Sequence, residues 1–169
     1  MQRRRAIALA LAFCLSFLFS CGNGDLGGDL SCTVSVRCDN AVGHADALAP
    51  ETAAILPADG VMLADTDISF AAGETAFDVL RRAARTAGLH LEFEKTPLYG
   101  GVYVEGIGNL YAFDCGELSG WVYAVNGVFP TVSASAYPLA AGDTVEWIYT
   151  CDLGRDAVSR FASTEVSGR

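Results

Sequence analysis

Catalysis and metal binding both depend on particular side chains at particular spacings, and this chain offers few of them. Its two histidines, His44 in an Ala-rich segment and His90 at the start of a strand-like segment, give little support for a metal site. Ser119 lacks the Gly-x-Ser-x-Gly surroundings of a nucleophile elbow and is better explained as a turn residue. The spacing of the acidic residues selects no pair for acid–base work. We therefore predict a protein that is not an enzyme and holds no metal or cofactor.

Cysteine is the remaining reactive residue type, with six in 169 residues. Cys14 lies in an uncharged apolar run, Ala6 to Phe19, that follows three arginines, the layout of a secretory signal peptide at residues 1–20. Cys21 follows a small residue at the end of this run, as in the cleavage box of bacterial lipoproteins. Acyl chains on Cys21, at about 0.8 kcal/mol per buried methylene, would anchor the protein at the extracytoplasmic face of the cell membrane. Ordinary cleavage, with Cys21 left as a thiol, is the alternative.

Four cysteines remain after this processing: Cys32, Cys38, Cys115 and Cys151. In an exported domain they predict two disulfides. Cys32 and Cys38 would lie about 20 Å apart on one strand, too far to pair with each other, so each must pair with Cys115 or Cys151. A four-cysteine zinc site is the competing interpretation, although the sequence contains no Cys-x-x-Cys pair. A third interpretation is that all four cysteines are reduced thiols.

Charge excludes one class of partner. The chain has 11 Lys and Arg against 20 Asp and Glu, a net charge of −9, and loss of the three arginines in the signal peptide makes it −12. Phosphate binding needs a basic surface, so a nucleic-acid partner is not expected. We predict a flexible Gly-rich tether at residues 21–31, a folded domain at residues 32–156 and a tail at residues 157–169.

The pattern of apolar residues predicts several strands and one convincing helix. The helix spans Thr75 to Ala87, with Gly88 as its stop. Asp39–Ala58 is interpreted as a loop or short helix, and Pro97–Asn109 as a loop rich in Tyr and Gly. The predicted strands are Cys32–Cys38, Val61–Phe70 with an irregular middle, Leu89–Glu94, Gly120–Gly127 with an Asn-Gly turn at its end, and Thr144–Cys151.

Two strands, one helix and further strands follow the element order of a β-grasp domain. We predict an α+β fold with a β-grasp-like mixed sheet, one covering helix and stapling disulfides. The first and last strands of such a sheet run parallel, which would bring Cys38 close to Cys151. This pairing is favoured, with Cys115 as the rival partner of Cys151.

Aromatic residues beside Gly-rich turns are the best candidates for a binding surface, because a rigid ring can stack on a planar ligand or anchor a partner protein. Trp121 and Tyr123 share one face of their strand, so they belong either to the core or to the exposed face. Asn126, Phe129 and Pro130, at a turn, are the leading ligand contacts. The full candidate set is Tyr99, Tyr103, Trp121, Tyr123, Asn126, Phe129, Pro130 and Tyr137.

The final third of the chain contains a distinctive set of residues: Gly120–Tyr123, Asn126-Gly127, Phe129-Pro130, Ala134, Tyr137, Leu139, Gly142-Asp143 and Glu146–Tyr149. In these positions the chain resembles the transcobalamin-like C-terminal domain family. The resemblance covers about residues 32–156 and is most specific from Cys115 to Cys151. That family includes the small β domain of animal cobalamin carriers and many secreted bacterial proteins, often lipoproteins, of unassigned function.

The resemblance implies a non-catalytic protein that captures a small ligand, a corrinoid such as cobalamin being the first candidate, for uptake by a membrane transporter. In the animal carriers the β domain closes over cobalamin against a helical barrel, for which this sequence shows no segment. A second protein would then supply the other face, or the domain binds a different ligand, or it binds alone with lower affinity. The alternative function is an adhesion or interaction module at the cell surface. Ligand capture requires a concave aromatic pocket, and adhesion a flat exposed patch.

Overall fold

The computed structural model describes residues 30–96 and 100–158. The predicted signal peptide, Cys21, most of the tether, Tyr99 and the tail beyond residue 158 lie outside these ranges. The strands are β1 (Leu30–Arg37), β2 (Val61–Phe70), β3 (Leu91–Thr96), β4 (Gly101–Ile107), β5 (Leu110–Tyr111), β6 (Gly120–Val125) and β7 (Thr144–Thr150). The helices are α1 (Asp39–Gly43), α2 (Pro50–Ile55) and α3 (Ala76–Ala87), with 3-10 turns at Ala45–Ala47 and Ala134–Ala136.

The first and last strands run side by side and in the same direction, as predicted. β1 and β7 pair in parallel at the centre of a four-stranded sheet ordered β2-β1-β7-β6, while both outer pairs are antiparallel. Val34 and Val36 lie opposite Val145 and Trp147, and all four side chains are buried. The α+β class and the mixed sheet are therefore confirmed. The two sulfurs of the predicted Cys38–Cys151 pair are not joined, because the four described cysteines are all thiols.

Helix α3 covers the buried face of this sheet. The Thr75 side chain accepts a hydrogen bond from the Asp78 backbone N–H while the Asp78 carboxylate accepts from the Thr75 backbone, a capping box. The Thr75 hydrogen bonds lower the pKa of Asp78. Gly88 ends the helix in the left-handed region at φ 69°, where a residue without a side chain is favoured. The helix predicted from Thr75 to Ala87 is confirmed, with Thr75 as its cap.

A second sheet, ordered β3-β4-β5, was not predicted. The interpretation of Pro97–Asn109 as a loop is wrong over Gly101–Ile107, which forms β4. Its glycines make room for neighbouring side chains: a Cβ on Gly106 would come within 2.6 Å of the Tyr111 ring, and one on Gly101 would collide with Ser133. In sequence, glycines that permit close packing cannot be distinguished from glycines that permit a turn, so this strand has the composition of a loop.

The segment between β1 and β2 closes one end of the fold. It contains α1, a 3-10 turn and α2, so of the two interpretations, a loop or a short helix, the helical one is confirmed, with two short helices in place of one. Asn40 on α1 donates from Nδ2 to the carbonyl oxygen of Tyr149 at 3.0 Å, fastening this segment to the end of β7. Across residues 30–96 and 100–158, none of the helices combines the length and the apolarity needed to cross a membrane.

Candidate ligand-binding groove

A groove of about 450 Å³ lies where β4 passes beside β6, the outer strand of the four-stranded sheet. Its walls come from β4, from β6, from the Phe129-Pro130 turn and from the segment that follows β7. Trp121, Val122 and Tyr123 all line the groove. Because successive residues of a strand point to opposite faces of the sheet, the groove must wrap around the edge of β6. The lining residues are Val102, Tyr103, Val104, Trp121, Val122, Tyr123, Phe129, Pro130, Ser133, Ala134, Trp147, Leu153, Gly154, Arg155 and Val158.

Stacked aromatic rings form the inner wall. Tyr123 on β6 lies directly opposite Trp147 on β7, and their rings stack with centroids 5.4 Å apart and planes 26° apart. Tyr137 packs edge-on against Tyr123, with ring centroids 6.2 Å apart. The Tyr123 hydroxyl donates to the Val132 carbonyl at 2.8 Å, and burial together with Tyr137 raises its pKa to about 12. The inner wall is therefore uncharged at neutral pH.

A second aromatic pair fixes the neighbouring part of β6. Trp121 packs edge-on against Tyr149 at 5.2 Å and donates from Nε1 to the Leu110 carbonyl at 2.9 Å. The Tyr149 hydroxyl donates to the Tyr111 carbonyl at 2.7 Å and lies 3.0 Å from Ser119 Oγ, and burial raises its pKa to about 12. Ser119 Oγ in turn donates to the Gly116 carbonyl, so Ser119 is a turn residue, as predicted.

Trp147 carries a polar atom without a partner. The side chain is only 2 % exposed, and its buried Nε1 makes no hydrogen bond. A buried N–H without an acceptor costs about 1–3 kcal/mol. In Trp121, by contrast, the same atom is satisfied. Trp147 thus contributes packing surface but leaves a buried donor unsatisfied, whereas Trp121 does not.

The outer rim of the groove is apolar and open to solvent. Leu153 is 65 % exposed, and Tyr103 and Val158 are also exposed. Arg155 is the one charged side chain among the described lining residues, and its Nη1 lies 2.9 Å from a carboxylate oxygen of Asp152. Such a surface can hold an apolar or planar molecule by contact.

The structure brings five of the predicted ligand contacts together in the groove: Tyr103, Trp121, Tyr123, Phe129 and Pro130. It does not place Asn126 or Tyr137 there. Asn126 is occupied at the turn, where its Nδ2 donates to Asp143 Oδ1 at 2.8 Å and its Oδ1 accepts from the Thr144 backbone at 2.9 Å. Tyr137 packs edge-on against the Tyr123 ring.

Sequence reasoning missed much of the groove. Trp147 could have been found from its predicted strand, because pairing that strand with β6 in an antiparallel arrangement places Trp147 opposite Tyr123, on the same face of the sheet. Val102 and Val104 belong to β4, which had been interpreted as a loop. Leu153 and Val158 follow the last strand, in a segment without periodicity, so no pattern indicated that it folds back over β6.

The predicted pairing of Cys38 with Cys151 is wrong in this structure. Cys151 lies beside Cys115 instead, while Cys38 is fully buried after β1, two residues out of step with Cys151 in the parallel register. Burial raises the pKa of Cys38 to about 12, and that of Cys32 to about 11. Within the described ranges, no three side chains among His, Cys, Asp and Glu are grouped to hold a metal ion.

Comparison with known families finds a match over the second half of the fold. Residues 73–150 match the model of a family described as a domain of unknown function, DUF4430. The match covers just under half of the chain, and over these residues the chain is similar to that family. The matched range begins just before α3 and ends with β7, so it contains β4, β6 and the aromatic inner wall of the groove. No curated protein matches the sequence significantly.

A solved structure resembles this chain in fold. Haptocorrin in complex with Cbi matches with a TM-score of 0.51 and 18 % identity over 75 % of this chain. The chain spans only about a quarter of that protein, 26 % of its length. A protein from Ruminococcus gnavus described as metal-binding matches with a TM-score of 0.44 and 16 % identity, over 72 % of this chain and 97 % of its own. The haptocorrin match thus confirms the fold that the family resemblance implied.

Proposed function

We propose that this protein is a non-catalytic binding protein whose groove between β4 and β6 holds a small, largely apolar ligand, with a corrinoid as the first candidate. The observation that carries the proposal is the groove itself. Its volume of about 450 Å³ falls within the range of small-molecule sites, and aromatic and aliphatic side chains form most of its lining. Aromatic rings here are fixed by hydrogen bonds and stacking, so binding would order few side chains.

The shape of the groove favours a ligand that lies across it. The site is open along its rim, so this domain would contact one side of a macrocycle and leave the other side accessible. That arrangement agrees with the fold it shares with haptocorrin, which was solved in complex with Cbi. A transporter or another surface protein would contact the remaining side of the ligand and receive it from this domain.

Equilibrium dialysis tests the proposal directly. The protein produced from the full sequence and extracted in detergent is dialysed against cobalamin, and visible absorbance is read on both sides. We expect an excess of cobalamin on the protein side at micromolar concentrations. Equal absorbance on both sides at high micromolar cobalamin would contradict the corrinoid proposal.

We further propose that Cys21 is acylated and holds the protein at the outer face of the cell membrane, with the Gly-rich stretch after it as a tether. The support is the arginine-led apolar run that ends in a small residue and Cys21. This location would present the groove to external ligands.

Replacing the acylated residue provides the test. In Cys21→Ser the protein should move from the membrane fraction to the soluble fraction and lose incorporation of labelled palmitate. The unaltered chain, fractionated in parallel, is the control. Labelled palmitate that stays on the Cys21→Ser protein would show that the anchor lies elsewhere.

An adhesion module is the second candidate function. The exposed apolar rim, formed by Tyr103, Leu153 and Val158, is the observation in its favour. The concave groove beneath that rim is what ligand capture requires and a flat adhesive patch does not. The dialysis experiment separates the two, because only ligand capture predicts retention of a small molecule.

A further inference from the structure

Two of the four described cysteines lie in direct contact. The Sγ atoms of Cys115 and Cys151 are 3.0 Å apart, about 1 Å more than the length of a disulfide bond. Cys115 lies in the turn before β6, and Cys151 directly follows β7, so the contact joins residues 36 positions apart in the sequence.

Both backbones are already fixed around this contact. The Cys115 backbone N–H donates to Ser119 Oγ at 3.1 Å, and the Cys151 backbone N–H donates to Asp156 Oδ2 at 2.8 Å. The two sulfurs therefore need only a small change in side-chain torsion to bond, with no movement of a strand.

We propose that Cys115 and Cys151 form a disulfide when the protein meets a disulfide oxidant, while Cys32 and Cys38 remain thiols. The proposal rests on the export proposed above for its oxidising compartment, and on the sulfur contact for its pairing. Cys32 is buried in β1, where its Sγ lies 3.8 Å from the Ile68 carbonyl, and Cys38 is fully buried just beyond the other end of that strand. Neither has a sulfur partner among the described residues.

The chemistry is a two-electron exchange. The thiolate of one cysteine attacks the disulfide of the oxidant, forming a mixed disulfide and releasing one thiol. The second cysteine then attacks the protein sulfur of that bond, releasing the second thiol of the oxidant. Two protein S–H bonds are lost, one S–S bond is gained, and two electrons and two protons convert the oxidant from a disulfide to two thiols.

Access and acidity set the rate. Cys151 is partly exposed, whereas Cys115 is only 8 % exposed, so the oxidant reaches Cys151 first. Burial and the hydrogen bond to Cys115 raise the pKa of Cys151, which keeps the reactive thiolate scarce at neutral pH. Oxidation should therefore be slow with small disulfides and faster with a thiol–disulfide oxidoreductase.

The bond would also brace the groove. Cys151 begins the turn that carries Leu153 and Arg155 to the rim, and Cys115 begins the approach to Trp121 on β6. A link between them would join the segments that hold two walls of the groove.

Peptide mapping tests the pairing. The detergent-extracted full chain is incubated with glutathione disulfide and a thiol–disulfide oxidoreductase, its free thiols are alkylated in urea, and unreduced digests are analysed by mass spectrometry. We expect one linked peptide pair containing Cys115 and Cys151, with Cys32 and Cys38 alkylated. Alkylation of both Cys115 and Cys151, or a link from Cys151 to Cys38, would overturn the proposal.

A stability measurement gives an independent readout. Dithiothreitol should lower the melting temperature of the oxidised chain by about 10 °C, because reduction releases the closed loop. The Cys115→Ser chain should show no such dependence, whereas Cys32→Ser, the control, should keep it. Peptide mapping of protein that has not been treated with glutathione disulfide tests export separately. A Cys115–Cys151 bond already present in that protein supports export. A bond that forms only after treatment contradicts export but still establishes the pairing.

Discussion

Replacing Trp147 by alanine is expected to lower the free energy of unfolding by about 4 kcal/mol. Trp147 is 2 % exposed, stacks on Tyr123 and lies opposite Val36 in the central parallel pair of strands. Its removal leaves a cavity between the groove and the core, and the paired backbones of β6 and β7 prevent the surrounding chain from filling it.

Phenylalanine at the same position should cost far less. Trp147→Phe keeps a ring against Tyr123 and deletes the buried Nε1 that has no acceptor. The loss of ring area and the removal of an unsatisfied donor therefore act in opposite directions. We expect a change of about 1 kcal/mol or less.

Denaturant unfolding followed by circular dichroism measures both variants against the unaltered chain. A Trp147→Phe protein destabilised as strongly as Trp147→Ala would show that Nε1 makes a stabilising interaction. An Ala variant of unaltered stability would show that the stack contributes little to the core.

The second large effect concerns the rim of the groove. Leu153→Asp should weaken cobalamin binding at least tenfold, because it places a charge where an apolar ligand must be desolvated. Leu153 lines the groove but is 65 % exposed, so its replacement should leave the free energy of unfolding within about 0.5 kcal/mol of the original.

Val128→Asp is the matched control. Val128 is 67 % exposed and directly precedes the lining residue Phe129 in the sequence, but it is not itself among the residues that line the groove. It adds the same charge, so a general electrostatic effect would weaken binding equally in the two variants. Equal dissociation constants for Leu153→Asp and Val128→Asp would place the ligand elsewhere.

The parts of the fold that could be predicted from sequence are those with strong local periodicity. Helix α3 has apolar residues at helical spacing and both terminal signals, Thr75 and Gly88, so its bounds were predicted within one residue. β1 and β7 alternate clearly, and the element order implied that they run parallel. β4 was missed because its glycines serve close packing against Ser133 and Tyr111, a tertiary requirement that leaves no local signal.

The candidate site was predictable to the same extent. Rings on β6 and at the Phe129 turn could be selected because aromatic residues beside a turn are visible in sequence. Asn126 looked equally available, but its side chain satisfies backbone and carboxylate groups across the turn. The place of Leu153 depends on how the chain folds back after β7, which no pattern along the sequence encodes. The Cys115–Cys151 contact is the rival pairing that the sequence leaves open.

The central claim, that the groove between β4 and β6 binds a small ligand, is tested most directly by tryptophan fluorescence. The chain contains two tryptophans, Trp121 and Trp147, and both line the groove. The full-length protein is titrated with cobalamin, with free tryptophan at matched absorbance correcting for light absorbed by the ligand. We predict saturable quenching at micromolar cobalamin that Leu153→Asp weakens and Val128→Asp preserves. Corrected fluorescence that stays constant up to high micromolar cobalamin would contradict the proposal that this groove binds a corrinoid.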